Sequence, residues 1–137
     1  MTTAQVATLT TAQVVALTTD QVAAMTTAQV AALETADFAS ISTSSLAALK
    51  TAQIVAITSD QALALTTMQA YALGTAQVQA LETVDLASIS TASIAALDVT
   101  QIMAISTAHA QALTSAQVVA LGTTQVQALE TVDFAAL

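Results

Sequence analysis

Large aliphatic residues recur at every eighth position of the chain, from Leu9 to Leu137. After Met1, residues 2–137 divide into 17 octads without an insertion, and position 8 of each octad is Leu, Ile or Met. Position 5 is also apolar, position 7 is nearly always Ala, position 2 is nearly always Thr or Ser, and position 4 is Gln in 11 octads. This unbroken repeat predicts a single array of stacked units over residues 1–137.

A longer repeat is superimposed on the octads. The segment Glu34–Phe38 recurs as Glu82–Leu86 and again as Glu130–Phe134, each time 48 residues later. Gly74 and Gly122 have the same separation. Since 48 residues are six octads, the sequence indicates a duplicated unit of six octads.

The octad pattern favours a short helix in each repeat. Eight residues correspond to about 2.2 helical turns, so a continuous helix would spread the aliphatic side chains around its axis. Thr at position 1 is a favoured N-cap, Thr-x-x-Gln is a capping box, and positions 5 and 8 share one helix face. We therefore predict an all-α solenoid, in which each octad forms a helix of about six residues followed by a two-residue turn. A β-solenoid is the alternative, because Thr and Val favour strands, although the sequence has no Asn and only two Gly for its corners.

The helices must stack, because a six-residue helix is not stable alone. Positions 5 and 8 are predicted to fill the interior, and the small Ala at position 7 to allow close helix contacts. Gly74 and Gly122 directly follow an aliphatic position 8, where a left-handed residue commonly ends a helix, so a positive φ is expected there. The Thr and Gln side chains are expected to satisfy the helix ends. Alternatively, the Thr hydroxyls could form a regular row that binds ice, and this role would require a flat strand-like face.

Composition excludes several classes of function. Lys plus Arg is 1, Asp plus Glu is 9 and the net charge is −8, so a nucleic-acid partner is not expected. There is no Cys and only one His, which leaves little material for catalysis or for a cofactor. We predict that the chain is not an enzyme and binds no cofactor. Polar residues interrupt every octad, so no membrane-inserted segment is expected either.

Three acidic pairs are the only candidates for a metal site. Stacked carboxylates would suit Ca²⁺, which prefers several oxygen ligands. The alternative is that these acids lie in the first turns of helices, where negative charge is favourable. His109 and Lys50 are interpreted as a substituted polar position and a solvated turn residue, respectively. The candidate metal ligands are Glu34, Asp37, Glu82, Asp85, Glu130 and Asp133.

Two segments carry a resemblance to known proteins. Residues 9–17 and 113–121 resemble the Thr/Ala-rich octapeptide repeats of very large bacterial secreted or surface proteins of the adhesin or haem-utilisation type. The resemblance implies an extracellular, Cys-free stalk or filament, and it carries over no ligand residue. The segment Leu-Thr-x-x-Gln-Val-Val-Ala and residues 127–132 also resemble the helices of TAL-effector repeats. Because the octad is much shorter and lacks the base-reading loop, that likeness supports helical octads alone.

Surplus apolar residues predict self-association. Positions 3 and 6 are often apolar, and a thin solenoid cannot bury them as well as positions 5 and 8, so they are expected to form an interface. The terminal octads show no polar capping sequence, which predicts end-to-end stacking into a filament. The alternatives are a monomeric stalk segment of a large adhesin and a Ca²⁺-binding module. The surplus residues are Val15, Val55, Leu63, Met68, Tyr71, Val84, Met103, Val119 and Val132.

Overall fold

Short α-helices separated by tight corners make up the chain in a computed structural model, which describes the backbone of residues 1–132 and the side chains of residues 1–130. No strand occurs in this part, so the all-α solenoid is confirmed and the β-solenoid is not. The helices are α1 (Thr3–Val6), α2 (Thr11–Val15), α3 (Thr19–Ala23), α4 (Thr27–Ala32), α5 (Thr35–Ser40), α6 (Thr43–Ala47), α7 (Thr51–Val55), α8 (Ser59–Ala64), α9 (Thr67–Ala72), α10 (Thr75–Ala80), α11 (Thr83–Ser88), α12 (Thr91–Ala95), α13 (Val99–Ala104), α14 (Thr107–Ala112), α15 (Ser115–Ala120) and α16 (Thr123–Val132).

Each helix begins where the octad pattern predicts. Position 1 is the N-cap and has an extended backbone, as at Thr58 with φ −91° and ψ 160°. Position 8 is extended where it caps the end of a helix, as at Leu65 with φ −54° and ψ 125°, so the chain turns there between positions 8 and 1. Helix lengths of four to six residues in α1–α15 agree with the predicted size of the unit.

Three octads make one turn of the solenoid. The main helix contacts join each helix to the third one after it, from α1 with α4 to α13 with α16. The helices therefore stack in three columns, and one turn takes 24 residues. The 48-residue repeat of the sequence corresponds to two complete turns, so equivalent residues of that repeat return to the same column.

The interior is filled by positions 5 and 8, as predicted. Phe38, Leu46 and Leu86 are fully buried at position 5, and position 8 is buried from Met25 to Ile105. Ala at position 7, such as Ala72, is half-buried in most octads. The aliphatic pattern of the sequence thus identifies the core directly.

The expectation of a positive φ at the two glycines was wrong. No described residue has a positive φ, and Gly74 has φ −71° and ψ 160°. The helices end either with a right-handed helical residue at position 7, as at Ala56, or with an extended residue at position 8, as at Leu81, and neither is left-handed. Glycine therefore lies in an ordinary N-cap conformation, and a Cβ at Gly74 would meet only Gln77 Oε1, at 3.7 Å.

Helix α16 differs from the others because it continues across an octad boundary. It runs for ten residues, from Thr123 to Val132, so no corner forms at Leu129 and Glu130. Residues 79–84 have the same sequence as residues 127–132, yet α10 ends at Ala80 and α11 begins at Thr83. Local sequence alone does not determine whether this segment turns.

Candidate functional site: the corner carboxamides

The Gln at position 4 closes the start of its own helix. In α8, the Gln61 Oε1 accepts the backbone N–H of Thr58 at 3.0 Å, and the Gln61 backbone N–H donates to Thr58 Oγ1 at 3.2 Å. These two bonds satisfy donors that a helix N-terminus leaves free. The capping box predicted from Thr-x-x-Gln is therefore confirmed.

The other end of the same carboxamide joins two turns of the solenoid. Gln61 Nε2 donates to the backbone carbonyls of Val30 and Leu33, both at 2.8 Å, and the Gln61 side chain is 1% exposed. Val30 and Leu33 occupy positions 5 and 8 of an octad in the preceding turn, and we call such oxygens corner carbonyls. The helix C-terminus leaves the Leu33 oxygen without a partner inside the helix, and the Val30 oxygen also accepts the backbone N–H of Leu33 at 3.2 Å. The same pair of donations, 28 and 31 residues back along the chain, is made by Gln53, Gln69, Gln77, Gln101, Gln117 and Gln125.

Sequence reasoning did not identify this buried role of position 4. The sequence nevertheless contained a sign of this role. Glu completes a capping box as well as Gln does, so capping alone would allow Glu at position 4, yet no octad has Glu there. A carboxylate has no N–H to donate, whereas a carboxamide has two. The preference for Gln therefore agrees with a side chain that supplies both an acceptor and a donor, although Asp37 and Asp85 occupy the same position as acceptors alone.

His109 replaces Gln at position 4 and makes equivalent contacts. Its Nδ1 accepts the backbone N–H of Ser106 at 3.1 Å, and its Nε2 lies 2.6 Å from the corner carbonyl of Leu81. Because a backbone N–H can only donate, Nδ1 is the acceptor and Nε2 carries the hydrogen. The ring thus reproduces both halves of the carboxamide, in agreement with the interpretation of His109 as a substituted polar position.

The acidic pairs divide into a buried and an exposed member. Asp37 and Asp85 are each 3% exposed and accept a hydrogen bond from a hydroxyl of the preceding turn, at 3.0 Å from Thr11 Oγ1 and 2.8 Å from Ser59 Oγ. Their partners Glu34 and Glu82 are exposed at N-cap positions and make no side-chain cap bond. Glu130 is exposed in α16, and Asp133 lies outside the described residues.

The fold does not bring the two fully described acidic pairs, Glu34/Asp37 and Glu82/Asp85, to one site. These two pairs lie two turns apart in one column, which is about 16–20 Å at ordinary helix spacings of 8–10 Å. Among the residues that the structure describes, no three His, Cys, Asp or Glu side chains come together. The calcium site remains a prediction from sequence.

Many of the surplus apolar side chains lie on the outside, as predicted. Val119 is 85% exposed, Met68 is 72% exposed and Tyr71 is 62% exposed. Met68 and Tyr71 line a shallow depression of about 310 Å³ on the face of α9. The side chain of Val132 lies outside the described part, and Val99 and Val118 are additional exposed apolar residues.

These features define the class of the protein as an α-solenoid built from octads whose corners are joined by side-chain carboxamides. The family model described as the ALTTAQ repeat matches residues 1–27, 30–67, 78–115 and 102–131, and the chain belongs to this repeat family. Searches among curated proteins and among solved structures find no similar protein. In residues 1–132, no helix has the length and apolar character needed to cross a membrane.

The six residues that give the family its description span a corner rather than a helix. In octad terms they are positions 7 and 8 of one repeat and positions 1–4 of the next, as in residues 112–117, which read Ala-Leu-Thr-Ser-Ala-Gln. They comprise the aliphatic core residue, the N-cap and the carboxamide. The family signature therefore describes the element that connects successive helices and successive turns.

Proposed function

We propose that this chain is a structural repeat protein that assembles end to end into an extracellular filament. The observation that supports the proposal is the apolar exterior, where Val119 is 85%, Met68 is 72% and Tyr71 is 62% exposed. A contact between unlike faces of successive copies propagates without closing, and it would extend the stacking that joins one turn to the next within the chain.

The exposed apolar residues are spread over several turns of the solenoid. Val119 and Tyr71 lie outside the core on different turns of one column, in α15 and α9. Exposed apolar surface of this kind is typical of interfaces. The net charge of −8 disfavours nonspecific lateral aggregation of the copies, because like charges repel.

Concentration-dependent sedimentation and electron microscopy of the purified chain test the proposal. We expect uniform filaments with the width of a single solenoid, and a mean mass that rises with concentration. A mass that stays at one copy over a hundredfold concentration range contradicts self-assembly.

A stalk segment of a large surface protein is the second candidate. The unbroken phase of the octads favours it, because further repeats of the same polypeptide would cover the first turn through the same contacts. In that case the purified chain remains monomeric. The extracellular location is proposed from the resemblance to secreted adhesin-like repeats, and protease treatment of intact cells followed by immunodetection tests it.

The proposal includes no catalytic role. Both ring nitrogens of His109 are engaged by backbone groups, and Lys50 is exposed at the start of α7. Among the described side chains, neither has the neighbours that a general base or a nucleophile requires. A turnover that disappears in His109→Gln would contradict this part of the proposal.

A further inference from the structure

One column of the solenoid has an outer surface without charge. The column contains α3, α6, α9, α12 and α15, each of which packs on the next. The octads of its last four described helices contain no Asp, Glu, Lys, Arg or His, and they are residues 42–49, 66–73, 90–97 and 114–121. Exposed acids lie instead in the column of α5, α8 and α11, at Glu34, Asp60 and Glu82. We call the outer surface of α6, α9, α12 and α15 the neutral face.

A ridge and a low helix lie side by side on the neutral face. In α9 the outer residues at positions 3 and 6 are Met68 and Tyr71, which are 72% and 62% exposed. In α12 the same positions are Ala92 and Ala95, and both are exposed. The large side chains of α9 therefore project beyond the surface of α12.

The two outer helices of the neutral face continue this alternation. Val119 of α15 is 85% exposed, whereas α6 presents the small side chains of Ser44 and Ala47. Along the column the order is low at α6, high at α9, low at α12 and high at α15. The alternation follows the 48-residue repeat, because α9 and α15 are two turns apart, as are α6 and α12.

An alternating surface of this kind is complementary to a reversed copy of itself. A two-fold axis between α9 and α12, directed along the helices, places α9 of each copy opposite α12 of the other and α6 opposite α15. Each high helix then meets a low one, so Tyr71 lies opposite Ala95 of the second copy and Met68 opposite Ala92 of the second copy. An unshifted parallel pair would place the ridges against each other. The depression of about 310 Å³ beside the ridge extends from Thr43 to Ala96, which leaves room for this contact.

We propose that the neutral face joins two copies of this chain side by side in an antiparallel pair. Charge selects a second copy as the occupant, because each copy carries a net charge of −8 and this face lets two copies meet with no charged residue between them. Asp20 of α3 lies outside the four paired helices. The pairing goes beyond the proposed end-to-end filament and does not depend on it.

The size of the neutral face makes the pairing weak. Four helices about 9 Å long, at spacings of about 8–10 Å, cover roughly 300–360 Å² per copy. A standard stable interface covers about 800 Å² per partner, so a pair of single chains forms only at high concentration. Filaments as wide as one solenoid therefore form first, and they pair at higher concentration because the contact then repeats along their length.

Disulfide trapping tests the pairing and its polarity, since the chain has no Cys. Ser44 and Ala116 are exposed at position 3 of α6 and α15, and the antiparallel pair brings them opposite each other. Oxidation of a mixture of Ser44→Cys and Ala116→Cys copies should give at least five times more linked product than either variant alone. Two equivalent positions in the pair are about 24–30 Å apart, three helix spacings, which is too far for a disulfide. More linkage within one variant than in the mixture would overturn the antiparallel arrangement.

Ala92→Glu tests the neutral face itself. Ala92 lies opposite Met68 of the second copy, so the introduced carboxylate would be buried in the pair. Ala76→Glu is the matched control, because Ala76 is exposed at position 3 of α10 in another column and the charge change is the same. Glu in the first helical turn is favourable in both variants. We expect Ala92→Glu to lower the yield of the mixed disulfide more than tenfold and Ala76→Glu less than twofold, with unchanged helical circular dichroism in both.

The outcomes separate the pairing from the proposed filament. If filaments form but the mixture gives no excess of linked product, the pairing is wrong and the filament stands. Equal yields for Ala92→Glu and Ala76→Glu also show that the pairing is wrong. If linked pairs form with the expected response to both variants but no filament grows, the end-to-end assembly is wrong and the pairing stands.

Discussion

Replacing an interior carboxamide by a carboxylate should weaken the solenoid strongly. We choose Gln61→Glu, because Gln61 is 1% exposed and Nε2 makes two bonds of 2.8 Å to Val30 and Leu33. The substitution keeps the shape and the cap acceptor of the side chain. It removes the donor and places a negative charge against two carbonyl oxygens.

The expected cost follows from these contacts. Leaving a buried carbonyl without a partner costs about 1–3 kcal/mol. An uncompensated buried charge costs about 3–5 kcal/mol. The two effects overlap, because the side chain can move away from the carbonyls or take up a proton. We therefore expect Gln61→Glu to lower the free energy of unfolding by about 3–5 kcal/mol at neutral pH.

Gln21→Glu is the matched control for this variant. Both residues lie in a Thr-x-Asp-Gln context, and both accept an N-cap N–H through Oε1, at 2.8 Å for Gln21 and 3.0 Å for Gln61. Gln21 is exposed, and its Nε2 donates to no described residue. The control should therefore change the stability by less than about 0.5 kcal/mol, as surface substitutions usually do.

Denaturant unfolding followed by circular dichroism measures both variants at a concentration where the chain is monomeric. The dependence of the unfolding free energy on pH gives a second readout. Burial among carbonyls raises the pKa of the introduced carboxyl in the folded state, so the penalty is greatest at neutral pH and shrinks as the pH falls toward about 4.3, the ordinary pKa of Glu. Equal unfolding midpoints and slopes for the two variants at pH 7 would refute the role assigned to the corner carboxamides.

Substitutions at three further positions test the corners, each by thermal unfolding of the monomeric chain. Gly74→Ser should raise the free energy of unfolding by about 1 kcal/mol, because Gly74 has a negative φ and room for a capping hydroxyl, and Gly74→Ala should gain less. Lys50→Thr should also stabilise by about 1 kcal/mol, since Lys50 is an N-cap without a side-chain cap bond, and a loss of stability would contradict this. His109→Gln should leave the stability unchanged or slightly higher, whereas His109→Ala should lose about 1–3 kcal/mol because the Leu81 carbonyl loses its donor.

The periodic apolar positions were enough to predict the helices, their starts and the core. Thr58 caps the N-terminus of α8, and Phe38 is buried in the interior. Both roles follow from the residue type and its position within a single octad. The number of octads per turn did not follow from the sequence, because it depends on how helices three octads apart pack together. The partner of each Gln Nε2 was missed for the same reason. It lies 28–31 residues away, and only the stacking of turns brings it into contact.

The corner is a tertiary structure as much as a local one. Residues 79–84 and 127–132 share one sequence, and hence one set of helix propensities, but only the first segment turns. A corner interrupts the helical hydrogen bonds at positions 5–8, and many interior corners receive a side-chain donor from a later turn, as Leu81 does from His109. Such a donor is not required, because the chain also turns after Ile57, Leu113 and Leu121, whose carbonyls accept from no described side chain. Where the donor is present, it satisfies carbonyl oxygens that the end of a helix leaves without a partner. The family signature combines the aliphatic residue that ends one repeat with the Thr and Gln that begin the next, so it contains the residues on both sides of a corner.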